Sequence, residues 1–128
     1  MDQPRLYHLA VAAEWDPAAD AYRGSTIGRT QAEVGFVHCS TAEQVQATAD
    51  RFYAGRSDVV LLTIDPALVD AEIRVEGGFP HVYGPVPTGA ILAADAVPVG
   101  PDGRLQVAAV LPSPRAESAY ARIPQPGR

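Results

Sequence analysis

Residues 58–64 contain an almost uninterrupted run of β-branched and aliphatic side chains, VVLLTI in one-letter code, which Asp65 and Pro66 bring to an end. A strand with one face in water alternates polar and apolar residues, whereas a run without that alternation is typical of a strand buried on both faces. The segment therefore predicts a buried central strand, and the rest of the chain must supply its neighbours.

Two further strands are predicted in the N-terminal half, over residues 5–11 and residues 34–40. Between them, Asp16 is placed as an N-cap with Pro17 at the first helical position, which predicts a short helix over residues 14–21. Residues 24–29 are then expected to form a polar loop.

The main helix is predicted directly after the second strand. Ser40 or Thr41 can cap it, Glu43 or Gln44 can complete a capping box, and Gly55 ends it. The positions that recur at helical spacing on its expected buried face are Ala42, Val45, Ala49 and Phe52.

The C-terminal half predicts a short strand over residues 72–76, followed by residues 77–85, where glycine and proline are too dense for regular structure. Residues 90–97 and 105–111 pair naturally as a hairpin across residues 100–103. We expect one domain over residues 1–112 and a proline-rich tail over residues 113–128. The fold class is therefore α+β, with a split, largely antiparallel β-sheet and a few helices.

Composition excludes several kinds of function. All ten basic residues are Arg, so Schiff-base chemistry and a phosphate loop with its lysine are excluded. The net charge of -5 and the scattered arginines argue against bulk nucleic-acid binding. A single cysteine, the lack of a signal-peptide profile and the absence of a long apolar run predict a cytoplasmic protein that does not bind membranes.

Three histidines, His8, His38 and His81, each lie where a predicted strand ends or a structured loop turns. A histidine cluster can perform acid–base chemistry, bind a ribose or phosphate, or bind a metal. The alternative is that each histidine is structural and bonded to the backbone. No HxxxH, HxH or CxxC spacing occurs, so no metal site is expected.

Strand parity separates His38 from Cys39, because neighbouring side chains on a strand point to opposite faces. Cys39 is therefore expected to be a buried thiol, while His38 and Ser40 can face one pocket. Ser40 and Thr41 also open the main helix, whose free N–H groups form a candidate phosphate site, with simple capping as the alternative.

Arg74 and Glu76 share a strand face just before the glycine-rich segment. Glu76 can orient a ribose hydroxyl or stabilise a developing cation, or it can form a weak ion pair with Arg74 on an exposed edge. Tyr83 can stack on a flat ligand ring or cover the core.

Three segments together resemble the bacterial domain of unknown function 952 (DUF952) family: residues 6–10 (LYHLA), 35–45 (GFVHCSTAEQV) and 79–87 (FPHVYGPVP). The resemblance covers about residues 5–100 and implies an ADP-ribosyltransferase-like fold, whose enzymes hold NAD in a cleft. Tyr7 and His8 look like the pair that ends a first strand in RNA 2′-phosphotransferases and diphtheria-toxin-like transferases, where the histidine holds a ribose hydroxyl. His38 and Ser40 look like the second strand end of the phosphotransferases.

The resemblance implies a ligand such as NAD or ADP-ribose in a cleft lined by His8, His38, Ser40, His81 and Tyr83. The late glutamate of the toxin-like enzymes has only Glu76 as a candidate here, and the arginines of a phosphotransferase site have no certain match. A noncatalytic binding module is therefore one alternative. An acid–base enzyme that acts on a small biosynthetic metabolite is another.

Overall fold

A computed structural model describes residues 5–26 and 29–111 of the chain. The described strands are β1 (Leu6–Val11), β2 (Ala21–Tyr22), β3 (Gly24–Thr26), β4 (Arg29–Thr30), β5 (Val37–His38), β6 (Val59–Ile64), β7 (Ile73–Glu76), β8 (Phe79–Val82), β9 (Val86–Pro87) and β10 (Ile91–Ala96). The α-helices are α1 (Gln31–Val34) and α2 (Val45–Phe52), and short 3-10 helices cover Ala12–Glu14, Pro66–Leu68, Thr88–Ala90 and Val107–Ala109.

The aliphatic run of residues 59–64 forms β6, the middle strand of a three-stranded sheet with the order β1-β6-β10. Both pairings are antiparallel, and Leu61, Leu62 and Ile64 are fully buried. The predicted buried central strand is confirmed.

Two hydrophobic clusters cover the two faces of this sheet. Leu62 and Ile64 pack with Val37 and Val82 of a second antiparallel sheet, which has the order β5-β8-β7. Leu61 packs on the other face with residues of α2 and of the segment after β10, namely Val45, Ala49, Leu105 and Val107. The architecture is mixed, with mostly antiparallel strands and few helices, as the sequence predicted.

The glycine-rich segment departs from the prediction of an irregular loop. Gly77 and Gly78, with φ of 61° and 87°, form a tight turn between β7 and β8. Two consecutive left-handed residues suit the twist of a two-residue hairpin, and glycine adopts them without a steric penalty. Pro80 lies within β8 and lacks an N–H group, but its carbonyl accepts a hydrogen bond from Cys39 N at 3.0 Å.

The short helix predicted over residues 14–21 is wrong. The Asp16 side chain accepts a hydrogen bond from Ala18 N at 2.9 Å, and Ala19 N donates to the Asp16 carbonyl at 3.1 Å. Asp16 therefore closes a local turn rather than opening a helix. Residues 24–26 and Arg29 of the expected loop instead lie in the antiparallel strands of the β3–β4 hairpin, and a capping box between Thr30 and Glu33 opens α1.

The second predicted strand is shorter than residues 34–40. Residue 34 ends α1, Gly35 takes a left-handed conformation with φ of 107°, and only Val37–His38 remains as strand. Beyond it, Ser40 forms an isolated antiparallel bridge with Tyr7, which joins the second sheet to β1. Helix α2 begins later than expected, at Val45, and Phe52 is 58% exposed rather than part of the buried face.

The predicted hairpin between residues 90–97 and 105–111 is also wrong. Strand β10 pairs with β6, while Leu105 forms a single bridge with Val99 and the chain then turns into Val107–Ala109. Leu105 and Val107 are buried in the cluster against α2, and that packing takes precedence over strand pairing. The predicted tail over residues 113–128 lies outside the described residues.

Candidate functional site

His38 and His81 lie side by side on the second sheet. The antiparallel register of β5 and β8 pairs these two residues directly, and their ring centroids are 5.3 Å apart. Val37, the neighbour of His38, is fully buried, so the parity of the strand turns the His38 ring away from the core.

Glu76 connects His81 and Tyr83 through one carboxylate oxygen. The β7–β8 turn folds Glu76 back opposite Phe79, and its Oε1 accepts hydrogen bonds from His81 Nδ1, at 2.8 Å, and from the Tyr83 hydroxyl. The hydrogen bonds from Tyr83 and His81 lower the pKa of Glu76, and the carboxylate raises the pKa of Tyr83. The His81 Nε2 atom has no hydrogen-bond partner within the described part of the chain.

Aromatic and cationic groups hold this cluster in place. The Phe36 ring stacks on the His81 ring at a centroid distance of 4.0 Å and an angle of 10°. The Arg74 guanidinium lies 4.6 Å from the centroid of the Tyr83 ring and forms an ion pair with Glu72. Arg74 is therefore not within salt-bridge distance of Glu76. Its guanidinium instead makes a cation–π contact with the face of the Tyr83 ring.

His38 lines a cavity of about 340 Å³ that lies against α2 and the β3–β4 hairpin. The other lining residues are Thr26, Thr48, Phe52 and Tyr53. Neither ring nitrogen of His38 forms a hydrogen bond with a residue that the structure describes. Burial, with a smaller contribution from His81, lowers the pKa of His38, so its imidazole is favoured in the neutral form, with one donor and one acceptor.

His8 lies on the inner side, behind the backbone of His38. Its Nδ1 is 2.6 Å from the His38 carbonyl oxygen and its Nε2 is 2.9 Å from the Tyr22 hydroxyl. A carbonyl only accepts, so Nδ1 carries the proton and Nε2 accepts from Tyr22. Burial lowers the pKa of His8 to about 4. The predicted cluster of three histidines is thus a pair, His38 with His81, supported from behind by His8.

The other residues predicted to contact a ligand occupy different surroundings. Tyr7 is buried, 1% exposed, in the cluster that packs against α2, and its backbone pairs with Ser40. Ser40 is also buried, and its Oγ lies 3.2 Å from Thr48 Oγ1. Thr41 N donates to Gln44 Oε1 at 2.9 Å, so one N–H group of the expected phosphate site is already bonded within the helix start.

Cys39, directly after β5, is fully buried in the core between the two sheets, on the side of the chain opposite His38. Burial raises the pKa of its thiol to about 12. The parity prediction is confirmed, and a thiol in this environment behaves as a small hydrophobic group.

The described residues contain neither a metal-binding cluster nor a helix that could span a membrane. No group of three or more His, Cys, Asp or Glu side chains there is arranged to hold a metal ion. No helix within residues 5–26 and 29–111 is long and apolar enough to span a membrane.

Comparison with known proteins identifies relatives of this chain. The model of the family described as "Protein of unknown function (DUF952)" matches residues 9–94, which include both site histidines, Glu76 and Tyr83. The chain belongs to the DUF952 family. No match was found among curated proteins.

The DUF952 chain is also similar to solved structures of protein CC0527 from Caulobacter crescentus. An X-ray structure shares 29% sequence identity, covers 84% of this chain and 97% of CC0527, and has a TM-score of 0.73. The solution NMR structure of CC0527 gives a TM-score of 0.67 at the same identity, covering 84% of this chain and 96% of CC0527.

Sequence reasoning missed the other residues that line the His38 cavity, and it missed the hydrogen-bond partner of the His8 side chain. Thr48 and Phe52 are four residues apart on α2, a spacing that places both on one side of a helix. That spacing was the available signal, but the helical pattern predicts Phe52 on the buried face. Tyr22 follows the helix predicted over residues 14–21, and Thr26 lies in the predicted loop, so no pattern pointed to either residue.

Proposed function

We propose that this DUF952 protein binds a small nucleotide-like ligand, such as NAD or ADP-ribose, in the cavity lined by His38. The observation that carries the proposal is the state of the His38 side chain. Its ring nitrogens have no protein partner among the described residues, although the ring is only partly exposed and lines a concave surface. A half-buried imidazole in this state is available to bind a ligand.

The chemistry of the cavity walls supports a ligand with a flat ring and hydroxyl groups. Phe52 and Tyr53 supply aromatic surface, while the Thr26 and Thr48 side chains and His38 supply polar groups. The volume of about 340 Å³ falls within the range of about 300–1,000 Å³ that is common for small-molecule sites. A nucleobase or nicotinamide ring with its ribose has this combination of aromatic and polar surface.

We further propose that the fold is ADP-ribosyltransferase-like. Supporting this, two antiparallel sheets meet where Tyr7 bridges Ser40, and the His38 cavity lies beside that junction. In this proposal His8 does not hold the ribose hydroxyl, because both of its ring nitrogens are bonded to the protein. It orients the strand that carries His38, and His38 takes the direct contact.

The Glu76–His81 pair favours catalysis over simple binding. A carboxylate on Nδ1 fixes the imidazole orientation and leaves Nε2 to exchange a proton, which is the arrangement of a general acid–base histidine. His38 lies beside it, with the two centroids 5.3 Å apart. The Glu76–His81 pair therefore supports acid–base catalysis on a small metabolite as a second candidate function.

Calorimetric titration with NAD and with ADP-ribose tests the proposal. We expect binding to the native chain, at least tenfold weaker binding to His38→Gln, and unchanged binding to the matched surface control Arg104→Gln, whose side chain pairs with Asp50 outside the cavity. Equal affinity in native and His38→Gln proteins, or no heat at millimolar ligand, would contradict it. Chromatography of the incubated ligand then separates a transferase from a noncatalytic binding module.

A further inference from the structure

A second cavity, separate from the one lined by His38, lies on the β3–β4 hairpin. Its volume is about 280 Å³, and its lining residues are Glu14, Ala21, Arg23, Gly24, Arg29 and Thr30. It shares no lining residue with the His38 cavity. Two guanidinium groups lie on one small concave surface, although the chain as a whole has a net charge of -5.

Arg29 is set apart from the other arginines that the structure describes. Most of the others form ion pairs with carboxylates, for example Arg5 with Asp65. Arg51 is the exception, and its guanidinium lies 5.3 Å from the centroid of the Phe52 ring. Arg29 forms no ion pair with a described residue, although Glu14 lines the same cavity. Its cationic group is therefore available to an anion from solution.

Arg23 can add a second cationic group at modest cost. Its single contact with Asp20 is 3.1 Å long, and both side chains are more than half exposed. Exposed ion pairs of this kind contribute little to stability, so Arg23 can exchange Asp20 for a ligand. Guanidinium groups bind phosphate oxygens through paired N–H donors, and the oxygens of a phosphate can accept from two arginines at once.

We propose that the cavity lined by Arg23 and Arg29 is a binding site for the phosphate group of a small molecule. Arg29 provides the principal contact and Arg23 the second. The Glu14 carboxylate repels any phosphate dianion, free or esterified, but it can accept a hydrogen bond from a hydroxyl group on the carbon skeleton of an ester, which inorganic phosphate lacks. The site therefore favours a phosphate monoester with a hydroxyl group over inorganic phosphate. This inference does not depend on the His38 cavity.

Titration by NMR at constant ionic strength, with chloride as the replaced anion, tests the site. The probes are inorganic phosphate, glycerol phosphate and acetate. We expect saturable shifts of the residues that line the cavity, with glycerol phosphate bound more tightly than phosphate and acetate bound least. Arg29→Gln should weaken the binding of both phosphates at least tenfold, and Glu14→Gln should tighten the binding of inorganic phosphate.

Arg104→Gln is the matched control, because it removes the same charge from an arginine outside both cavities. Equal weakening in Arg29→Gln and Arg104→Gln would show a general charge effect and overturn the proposal. Absence of saturable shifts in the native chain would also overturn it. His38→Gln should leave phosphate binding unchanged, so failure of the nucleotide proposal and failure of this site are distinguishable.

Discussion

The Nδ1–H group of His8 donates a hydrogen bond to the backbone carbonyl of His38, and the two atoms lie 2.6 Å apart. Through this contact the first strand positions the residue that lines the cavity, in addition to the backbone bridge between Tyr7 and Ser40. His8 is in turn held by the Tyr22 hydroxyl. The His8 side chain therefore acts on the candidate site from behind rather than inside it.

The stability of the chain should fall as the pH decreases from about 6.5 towards 4. The His8 pKa is lowered to about 4 by burial, so below its unfolded value of 6.5 the unfolded state binds the proton more readily. The stabilisation is present above pH 6.5 and lost as the pH falls towards 4. For this one group the free energy of unfolding should drop by about 2 kcal/mol between about pH 7 and pH 5.

Urea unfolding at the two pH values measures the effect, with His8→Gln as the comparison. The variant should be about 2–4 kcal/mol less stable at neutral pH, because it loses packing and buried hydrogen bonds. It should also lose less stability on acidification. Part of the dependence should remain, because the pKa of His38 is lowered as well. An identical pH dependence in both proteins would contradict the buried, neutral His8.

Replacing Gly24 by Ala should disturb the contact between Tyr22 and His8. A Cβ atom at Gly24 would lie 2.3 Å from the Tyr22 hydroxyl oxygen, closer than packed atoms allow. We expect Gly24→Ala to destabilise the fold by about 1–3 kcal/mol in thermal or urea unfolding. Gly89→Ala is the control, because a Cβ there meets no atom within 4 Å. Equal stability of the two variants would show that Tyr22 does not need this close approach.

Removing the Glu76 charge should lower the pKa of Tyr83. The hydrogen bond to the carboxylate raises that pKa, and the uncharged amide of Glu76→Gln favours the neutral phenol less. Alkaline titration of tyrosine absorbance should show one group that titrates earlier in Glu76→Gln. The early-titrating group should be absent from the double variant that combines Glu76→Gln with Tyr83→Phe. An unchanged titration curve would mean that Tyr83 and Glu76 are not bonded in solution.

Cys39 should resist thiol reagents while the chain is folded. Its thiol is fully buried, and its pKa is raised to about 12, so neither access nor thiolate is available. The rate of labelling with a chromogenic disulfide should follow the unfolded fraction as urea is added. Fast labelling without urea would contradict both the burial of Cys39 and the strand parity that separates it from His38.

Predictions from the sequence were most accurate where the local residue pattern agrees with the packing of the fold. The aliphatic run of β6 has no polar face, so its central position followed directly, and alternation around Cys39 placed the thiol inside. The DUF952 membership was also predicted, from three short segments.

The failures have physical causes that a local pattern does not contain. Glycine density at Gly77 and Gly78 indicated a loop, but left-handed residues are what a tight hairpin requires. Residues 105–111 are predicted as the second strand of a hairpin, yet Leu105 packs against α2 instead. In the candidate site, the pairing of His38 with His81 depends on the β5–β8 register, and the placement of His8 depends on Tyr22, a residue in a segment without a clear pattern.

The most direct test of the His38 cavity is to follow the ring nitrogens of all three histidines by NMR while ADP-ribose is added. The proposed function requires the His38 signals to shift with saturation, with smaller changes at His81 and almost none at the protein-bonded ring of His8. Saturable shifts that are largest at His8, or no shift at His38 at millimolar ADP-ribose, would contradict the assignment of His38 as the ligand-binding histidine.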